Sequence, residues 1–596
     1  IVKVKSSVET RFEKILLWRI KHISERNFVL ILSVLIGVFS GIAAVLLKNL
    51  AHTTYVLVIK GFVFEKKILL NFVIPLTGIF LTVLFVRKLI KDDLGHGVSK
   101  VLHAISKKNG YIKPHNTFSS VVASSLTVGF GGSVGLEAPV VLTGSAIGSN
   151  LARLFRLNYK TVVLMIGCGS AGAIAGIFKA PIAGVVFTIE MLMIELTIST
   201  LIPLLISAVS GSLVAWLLMG SSVPFFYVID TPFVLKDVFF YIFLGITSGL
   251  ASFYFSRTVM NIEEKFSRVK NQYIRVIVGS LILGLLIYVF PSFYGEGYES
   301  LMDILRRQGE SLINKSLFGD LAYNQWVFLV LLLLLIFLKA IATAVTTGAG
   351  GVGGTFAPSL FMGGVIGFFT GRLINTFFDI GISESNFSLV GMAGVMAGVM
   401  HAPLTAIFLI AEITGGYELF PPLIITATIS YLTTKYFEPH SLYNKKLAEK
   451  GELITHNKDQ AVLMLMKSDN LIETNFLAIK PTATLGDLVK LISKSSRNIF
   501  PVVDDDGTFM GIVILDHVRE IIFKPELYEI TPVNTLMFMP ETTIEIGESM
   551  NDVAQKFYNS DKFNLVVLDQ GKYVGFISRA RVFSVYRRLL KDFSYD

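Results

Sequence analysis

From about Phe28 to Phe437 the sequence is a succession of apolar runs, some long enough to cross a bilayer and others cut short by glycine or proline. The long ones are Phe28–Leu50, Ile68–Ile90, Asp237–Tyr254, Val276–Phe290 and Val327–Ile341. Each approaches the roughly 20 residues that a membrane-spanning helix needs. Ser119–Val128, Pro139–Leu151, Pro181–Leu192, Pro358–Phe369, Ala393–Met400 and Pro403–Ile413 are shorter and bounded by Gly or Pro. At about 1.5 Å per residue such pieces cannot each cross the hydrocarbon. Broken backbone at membrane depth survives only where protein buries it or where it lines a cavity. The expected fold is therefore an all-α polytopic membrane domain whose broken helices form its functional interior.

Composition supports the membrane reading. The 596 residues are 53% hydrophobic and 16% charged, against about 25% charge in soluble domains. The net charge of +9 is not a nucleic-acid signal, because no basic stripe with interleaved aromatics accompanies it. The bases sit at the ends of apolar runs: Lys14, Arg19, Lys21 and Arg26 before the first, Lys435, Lys445 and Lys446 after the last. By the positive-inside tendency both ends are expected in the cytoplasm, with the plasma (inner) membrane as the location. No signal-peptide pattern opens the sequence, so no cleaved leader is expected. The single cysteine, Cys168, excludes an intramolecular disulfide and reads as a small packing residue.

After about Lys445 charge becomes frequent, and the strand-like runs Phe500–Val503, Met510–Ile514, Leu565–Leu568 and Tyr573–Ile577 alternate with helical stretches. This tail is expected to be a cytoplasmic α+β domain. It repeats internally, Asp487 to Gly511 against Asp552 to Gly575. The expected boundaries are an N-terminal segment 1–27, a membrane domain 28–445, a linker 446–466, and two repeat units, 467–526 and 527–596.

The membrane part repeats too. Residues 129–139 read GFGGSVGLEAP and residues 348–358 read GAGGVGGTFAP. AGIFKAP at 175–181 is matched by AGVMHAP at 397–403, and each leads to an apolar helix that reaches Glu190 or Glu412. The same motifs recur in the same order at nearly the same spacing. Glycines let backbone approach a ligand or another helix closely. Proline suits the first turn of a helix, where its missing N–H is not needed. A glycine-rich loop running into a proline-started helix presents free amides and a positive helix end, which is an anion site. Two such sites from two halves of a membrane protein are the arrangement of repeat-built transporters.

These motifs resemble those of the CLC family of chloride channels and chloride/proton antiporters, followed by tandem CBS domains. The family's segments stand here as GHGVS (95–99), GLEAP (135–139), GTFAP (354–358) and SLY (441–443). The resemblance implies two inverted halves and a homodimer with one pore per subunit. It makes Glu137 the gating glutamate and proton acceptor, and the residues agree, because Glu137 is the one carboxylate inside these anion-binding loops. Charged, a carboxylate occupies the positive helix ends itself; protonated, it can leave and admit an ion. The resemblance also implies anion contacts from His96, Gly97, Leu136, Glu137, Ala138, Thr355, Phe356 and Tyr443.

The sequence departs from the family pattern at two sites. His96 stands where a serine usually contacts the central anion, and Ser99 where proline is usual. His96 either donates an N–H to the anion or is a neutral ring that fills the serine's place or turns aside. Met191 occupies the internal proton-gate position, where many antiporters of the family carry a glutamate. Glu190 precedes it, read as a structural ion pair, and Glu195 lies one turn beyond as a substitute acid. Passive chloride conduction gated by Glu137 and chloride/proton antiport through the same residue share this scaffold; Met191 tilts the reading to the first.

No metal and no enzymatic activity are expected. His96, His103, His115 and His401 show no metal-ligand spacing, and no Ser/His/Asp constellation is visible. Chloride, protons and the bilayer are the expected partners, and no cofactor is expected in the membrane part. The CBS resemblance raises an adenine nucleotide at Asp516 and Ser578, although GIVILDH (511–517) and GFISRAR (575–581) both depart from the ribose-binding pattern.

Overall fold

The computed structural model describes residues 13–14, 16–61, 67–95, 97–220, 232–321, 323–378, 380–449, 463 and 466–594. The chain divides into two compact units, Ile1–Leu453 and Ile454–Asp596.

The first unit is helical. Among the described residues eight helices are long and apolar enough to cross a membrane: Glu25–Val58, Leu70–Ile90, Tyr159–Phe178, Ile198–Met219, Leu235–Arg268, Gln272–Val289, Gln325–Gly348 and Phe356–Phe378. Five of them match the five long runs expected from the sequence, three containing the run whole and two falling one or two residues short at one end. Phe356–Phe378 contains Pro358–Phe369, which the sequence reading treats as a short broken piece. Tyr159–Phe178 and Ile198–Met219 do not stand out in the pattern. Tyr159–Phe178 is rich in glycine and alanine because helices surround it: 89% of its most apolar 18-residue window is buried in protein. Small residues let such helices approach closely. A Cβ at Gly144 would lie 2.1 Å from the Gly169 carbonyl oxygen, and one at Gly169 would lie 1.9 Å from that of Gly144. The second half repeats this contact between Gly363 and Gly391, at 2.3 and 2.4 Å. The helix pair that follows each glycine-rich loop is thus packed backbone to backbone, twice.

Shorter apolar helices complete the interior, namely Ser119–Gly129, Pro181–Leu192 and Pro403–Thr414. The latter two begin on proline.

The second unit contains two helix–strand–strand repeats. In the first, helix Leu485–Lys494 starts in a capping box formed by Thr484 and Asp487 and precedes the antiparallel pair β1 (Ile499–Val503) and β2 (Phe509–Ile514). In the second, helix Met550–Ser560, capped by Ser549, lies between β3 (Thr543–Glu545) and β4 (Asn564–Asp569), which pair in parallel. Strand β5 (Lys572–Ser578) returns antiparallel to β4. Phe476, Phe509, Ile512, Val566, Leu568 and Phe576 form one apolar cluster drawn from both repeats.

Candidate functional site

The two glycine-rich loops meet. Gly135 and Gly354 exchange both backbone hydrogen bonds, each 2.8 Å, in one antiparallel bridge. Around it the same contacts occur twice with the halves exchanged. The Thr346 hydroxyl accepts the Ser133 N–H at 3.2 Å, and the Thr127 hydroxyl accepts the Val352 N–H at 3.0 Å. Each threonine's carbonyl also accepts from its own loop, from Gly132 at 2.8 Å and Gly351 at 3.0 Å. A local two-fold thus relates the loops, and each leads directly into a helix N-terminus, at Glu137 and at Phe356.

The second motif pair is coupled in the same way. The Glu190 carboxylate accepts the N–H groups of Leu404 (3.1 Å) and Thr405 (2.7 Å) at the start of helix Pro403–Thr414. Glu412, on that helix, accepts those of Ile182 (3.1 Å) and Ala183 (2.7 Å) at the start of helix Pro181–Leu192. This corrects the ion-pair reading of Glu190. Its partners are the free amides of a helix N-terminus and a threonine hydroxyl, which need an acceptor as much as a cation would.

Glu137 is 2% exposed. Its Oε1 accepts the Tyr298 hydroxyl at 2.5 Å. Its Oε2 has no hydrogen-bond partner among the described residues and lies over Gly135, where an added Cβ would approach it to 2.1 Å and the Ala357 nitrogen to 3.0 Å. The carboxylate therefore points from the first loop towards the first turn of the second loop's helix. A cavity of about 170 Å³ adjoins it, lined by Lys48, Leu136, Phe178, Glu296, Tyr298 and Met302 among others. Phe178, from the AGIF motif, stacks on Phe356 with ring centroids 5.3 Å apart.

Tyr443 is buried, and its hydroxyl lies 2.9 Å from that of Thr355. Ser99 donates to the Tyr443 carbonyl at 2.9 Å, and a Cβ at Gly97 would lie 2.1 Å from the Ala138 carbonyl oxygen. Leu136, Glu137, Ala138, Thr355, Phe356, Gly97 and Tyr443 are thus brought together through direct contacts along one line of elements. His96 lies outside the described residues.

Met191 is buried near the end of helix Pro181–Leu192. The idea that Glu195 lies one turn further along fails: Met193 turns left-handed (φ 54°) and ends the helix before it. Sequence reasoning missed Glu296, Tyr298, Lys48 and Lys339. The stretch GEGY at 295–298 offered a signal, an acid between two glycines, and both glycines have positive φ (64° and 88°). Lys339 is fully buried and donates to the Ser133 hydroxyl at 2.9 Å, behind the first loop.

In the second unit, Asp516 pairs with Arg519 on the surface. Ser578 donates to Glu473, which also takes Arg497 at 2.5 Å. Burial raises the Glu473 carboxyl, but the hydrogen bonds from Ser578 and Arg497 outweigh it and hold the group below the usual carboxylate range.

Residues 77–435 match the sequence profile of the family described as Voltage gated chloride channel. Residues 469–524 and 533–588 each match the CBS domain. The chain is 29% identical to a putative chloride channel protein ClcB-like of Ralstonia nicotianae, over 59% of this chain and 79% of that one. It is 26% identical to the chloride channel protein CLC-e of Arabidopsis thaliana, over 82% of this chain and 75% of the relative. In fold it resembles a slow cyanobacterial Cl⁻/H⁺ antiporter, with a TM-score of 0.61 at 21% identity, covering 72% of this chain and 98% of that structure.

Proposed function

The chain belongs to the voltage-gated chloride channel family, and on that premise we propose that it carries chloride across a membrane by passive conduction through a path gated by Glu137. One observation carries the reading. A buried carboxylate sits where two glycine-rich loops and two helix N-termini converge, with one oxygen held by a hydroxyl and the second without a hydrogen-bond partner among the described residues. A carboxylate in that seat stands in for an anion and competes with it. When Glu137 takes a proton or swings off Tyr298, chloride passes the amides of Leu136, Ala138, Thr355 and Phe356 and the hydroxyl of Tyr443. Gly97, packed against the Ala138 carbonyl, completes the deeper end.

Family membership makes the activity ion movement rather than chemical conversion of a substrate. Met191 cannot hold a proton at the inner position, which favours conduction uncoupled from protons. Chloride/proton antiport through Glu137 is the rival on the same scaffold. The reversal potential in planar bilayers under opposed chloride and proton gradients separates them. The expected value is the chloride equilibrium potential, unmoved by the proton gradient. A value that moves with the proton gradient assigns antiport, and absence of chloride current and flux contradicts both.

The working form is a homodimer in the plasma membrane with both termini in the cytoplasm. CBS domains as a class can bind adenine nucleotides. Here Ser578 is already committed to Glu473, so the pair is read as a dimerisation and coupling module without nucleotide. Titrating adenine nucleotide is expected to leave the protein's unfolding temperature unchanged.

A further inference from the structure

The loop between helices Gln272–Val289 and Tyr298–Leu305 carries Glu296. Its Oε1 accepts the N–H of Leu136 at 3.4 Å. That amide lies in the turn that opens helix Glu137–Leu154, one residue from Glu137. The same cavity of about 170 Å³ is lined by both acids and by Lys48. It continues into a wider vestibule of about 420 Å³ that Glu296 also lines, with Tyr55, Tyr294, Glu299 and Lys315 around it.

We infer that Glu296 is a second anion surrogate, which occupies the Leu136 amide at the outer mouth of the path and must give it up before an anion can bind there. Three observations support it. An ionised carboxylate accepts, as chloride does, and both are drawn to the same helix end. The contact is long, near the limit of a hydrogen bond, so an incoming anion can displace it. The buried Oε2 of Glu137, one residue on from Leu136, has no hydrogen-bond partner among the described residues, so the polar capacity of the site is not used up by the two acids. Anion entry from this mouth then meets two carboxylates in series. Glu296 is met first, on a loop hinged by Gly295 and Gly297, and Glu137 second. In the second half Phe356 stands in the place of Glu137.

This inference rests on the chloride path proposed above. The test is chloride binding to the purified full-length protein, measured by calorimetry, with Glu296→Gln, Glu296→Asp and Glu299→Gln beside the wild type. Because burial and the neighbouring Glu137 carboxylate raise the Glu296 pKa, binding is measured at alkaline pH, where Glu296→Gln removes the competing charge and is expected to lower the chloride dissociation constant about tenfold. Glu296→Asp keeps the charge but shortens its reach, and is expected to tighten binding more than Glu299→Gln does. Glu299→Gln removes a nearby vestibule charge with no contact to that amide, and is expected to stay within about twofold of wild type, as an exposed, screened charge should. In crystals soaked with bromide, anomalous density on the Leu136 amide is expected in Glu296→Gln and absent from wild type. A dissociation constant unchanged in both Glu296 variants overturns the inference. So does an equal effect in Glu299→Gln, and so does bromide on that amide in the wild type. Failure of the underlying path shows separately, as wild-type liposomes that do not release chloride.

Discussion

Replacing Gly135 by alanine should unlatch the gate without touching the gating residue. The methyl group would lie 2.1 Å from Oε2 of Glu137, 3.0 Å from the Ala357 nitrogen and 3.1 Å from the Ala357 Cβ. Ordinary carbon contacts lie at about 3.5 Å, so the overlap with the carboxylate exceeds 1 Å by a rough measure and is far the worst of the three. Gly135 does not have a positive φ, so its backbone accepts alanine, and its bridge to Gly354 uses only main-chain atoms. The flexible end of Glu137 is the part that can yield. Moving it breaks the 2.5 Å contact from Tyr298. A hydrogen bond to a charged group contributes about 1.5–3 kcal/mol. Losing that from the closed state shifts the open-to-closed ratio by about tenfold to a hundredfold. The assay is chloride efflux from liposomes at neutral and at acid pH. Efflux at neutral pH should rise at least about tenfold, and its pH dependence should flatten towards that of Glu137→Gln. Gly354→Ala is the internal control, since its methyl group would meet the Ala138 Cβ at 2.8 Å and no carboxylate. Unchanged or slower efflux from Gly135→Ala protein that elutes as wild type on gel filtration would refute the reasoning.

Three further outcomes are expected. Tyr298→Phe removes the hydroxyl from Glu137 and should raise neutral-pH efflux about tenfold with little change in unfolding temperature, both read on one preparation. Glu190→Gln and Glu412→Gln each remove the charge from a helix N-terminus and should cost about 1 kcal/mol, seen as lower thermal stability in detergent; no loss in either would mean the reciprocal caps do not contribute. Glu473 is held below the usual carboxylate range when folded, so its contribution to the second unit is complete above the ordinary carboxyl pKa and is lost as pH falls through the lowered folded value. Hydrogen exchange of β4 and β5 should therefore accelerate on acidification in the wild type, and Glu473→Gln should blunt that acceleration.

The sequence made the framework legible because its information is local. A glycine-rich loop followed by Glu-Ala-Pro or Phe-Ala-Pro states its own geometry, and the repeat at 348–358 states that the geometry occurs twice. Long apolar runs facing lipid were equally plain. Tyr159–Phe178 was not, because a helix surrounded by other helices needs small residues rather than apolar bulk. Glu190 was misread for a related reason. It caps a helix through the amide of Leu404, 214 residues further on, and an acid on an apolar helix does not announce whether its partner is a lysine or a row of amides. Tyr298 reaches Glu137 across 161 residues, and Glu296 reaches Leu136 across 160. Nothing in GEGY alone says that it faces GLEAP; only the folded loop brings an acid and a phenol onto the first repeat's helix end. The misplacement of Glu195 came from assuming that the helix continues, where a left-handed Met193 ends it.

The central claim is that Glu137 stands in for chloride in its own path. Chloride efflux from liposomes holding Glu137→Gln, measured from acid to neutral pH beside wild type, tests it directly. The account predicts wild-type efflux that falls as pH rises and Glu137→Gln efflux that stays high throughout. Efflux from Glu137→Gln that keeps the wild-type rate and pH dependence would contradict it.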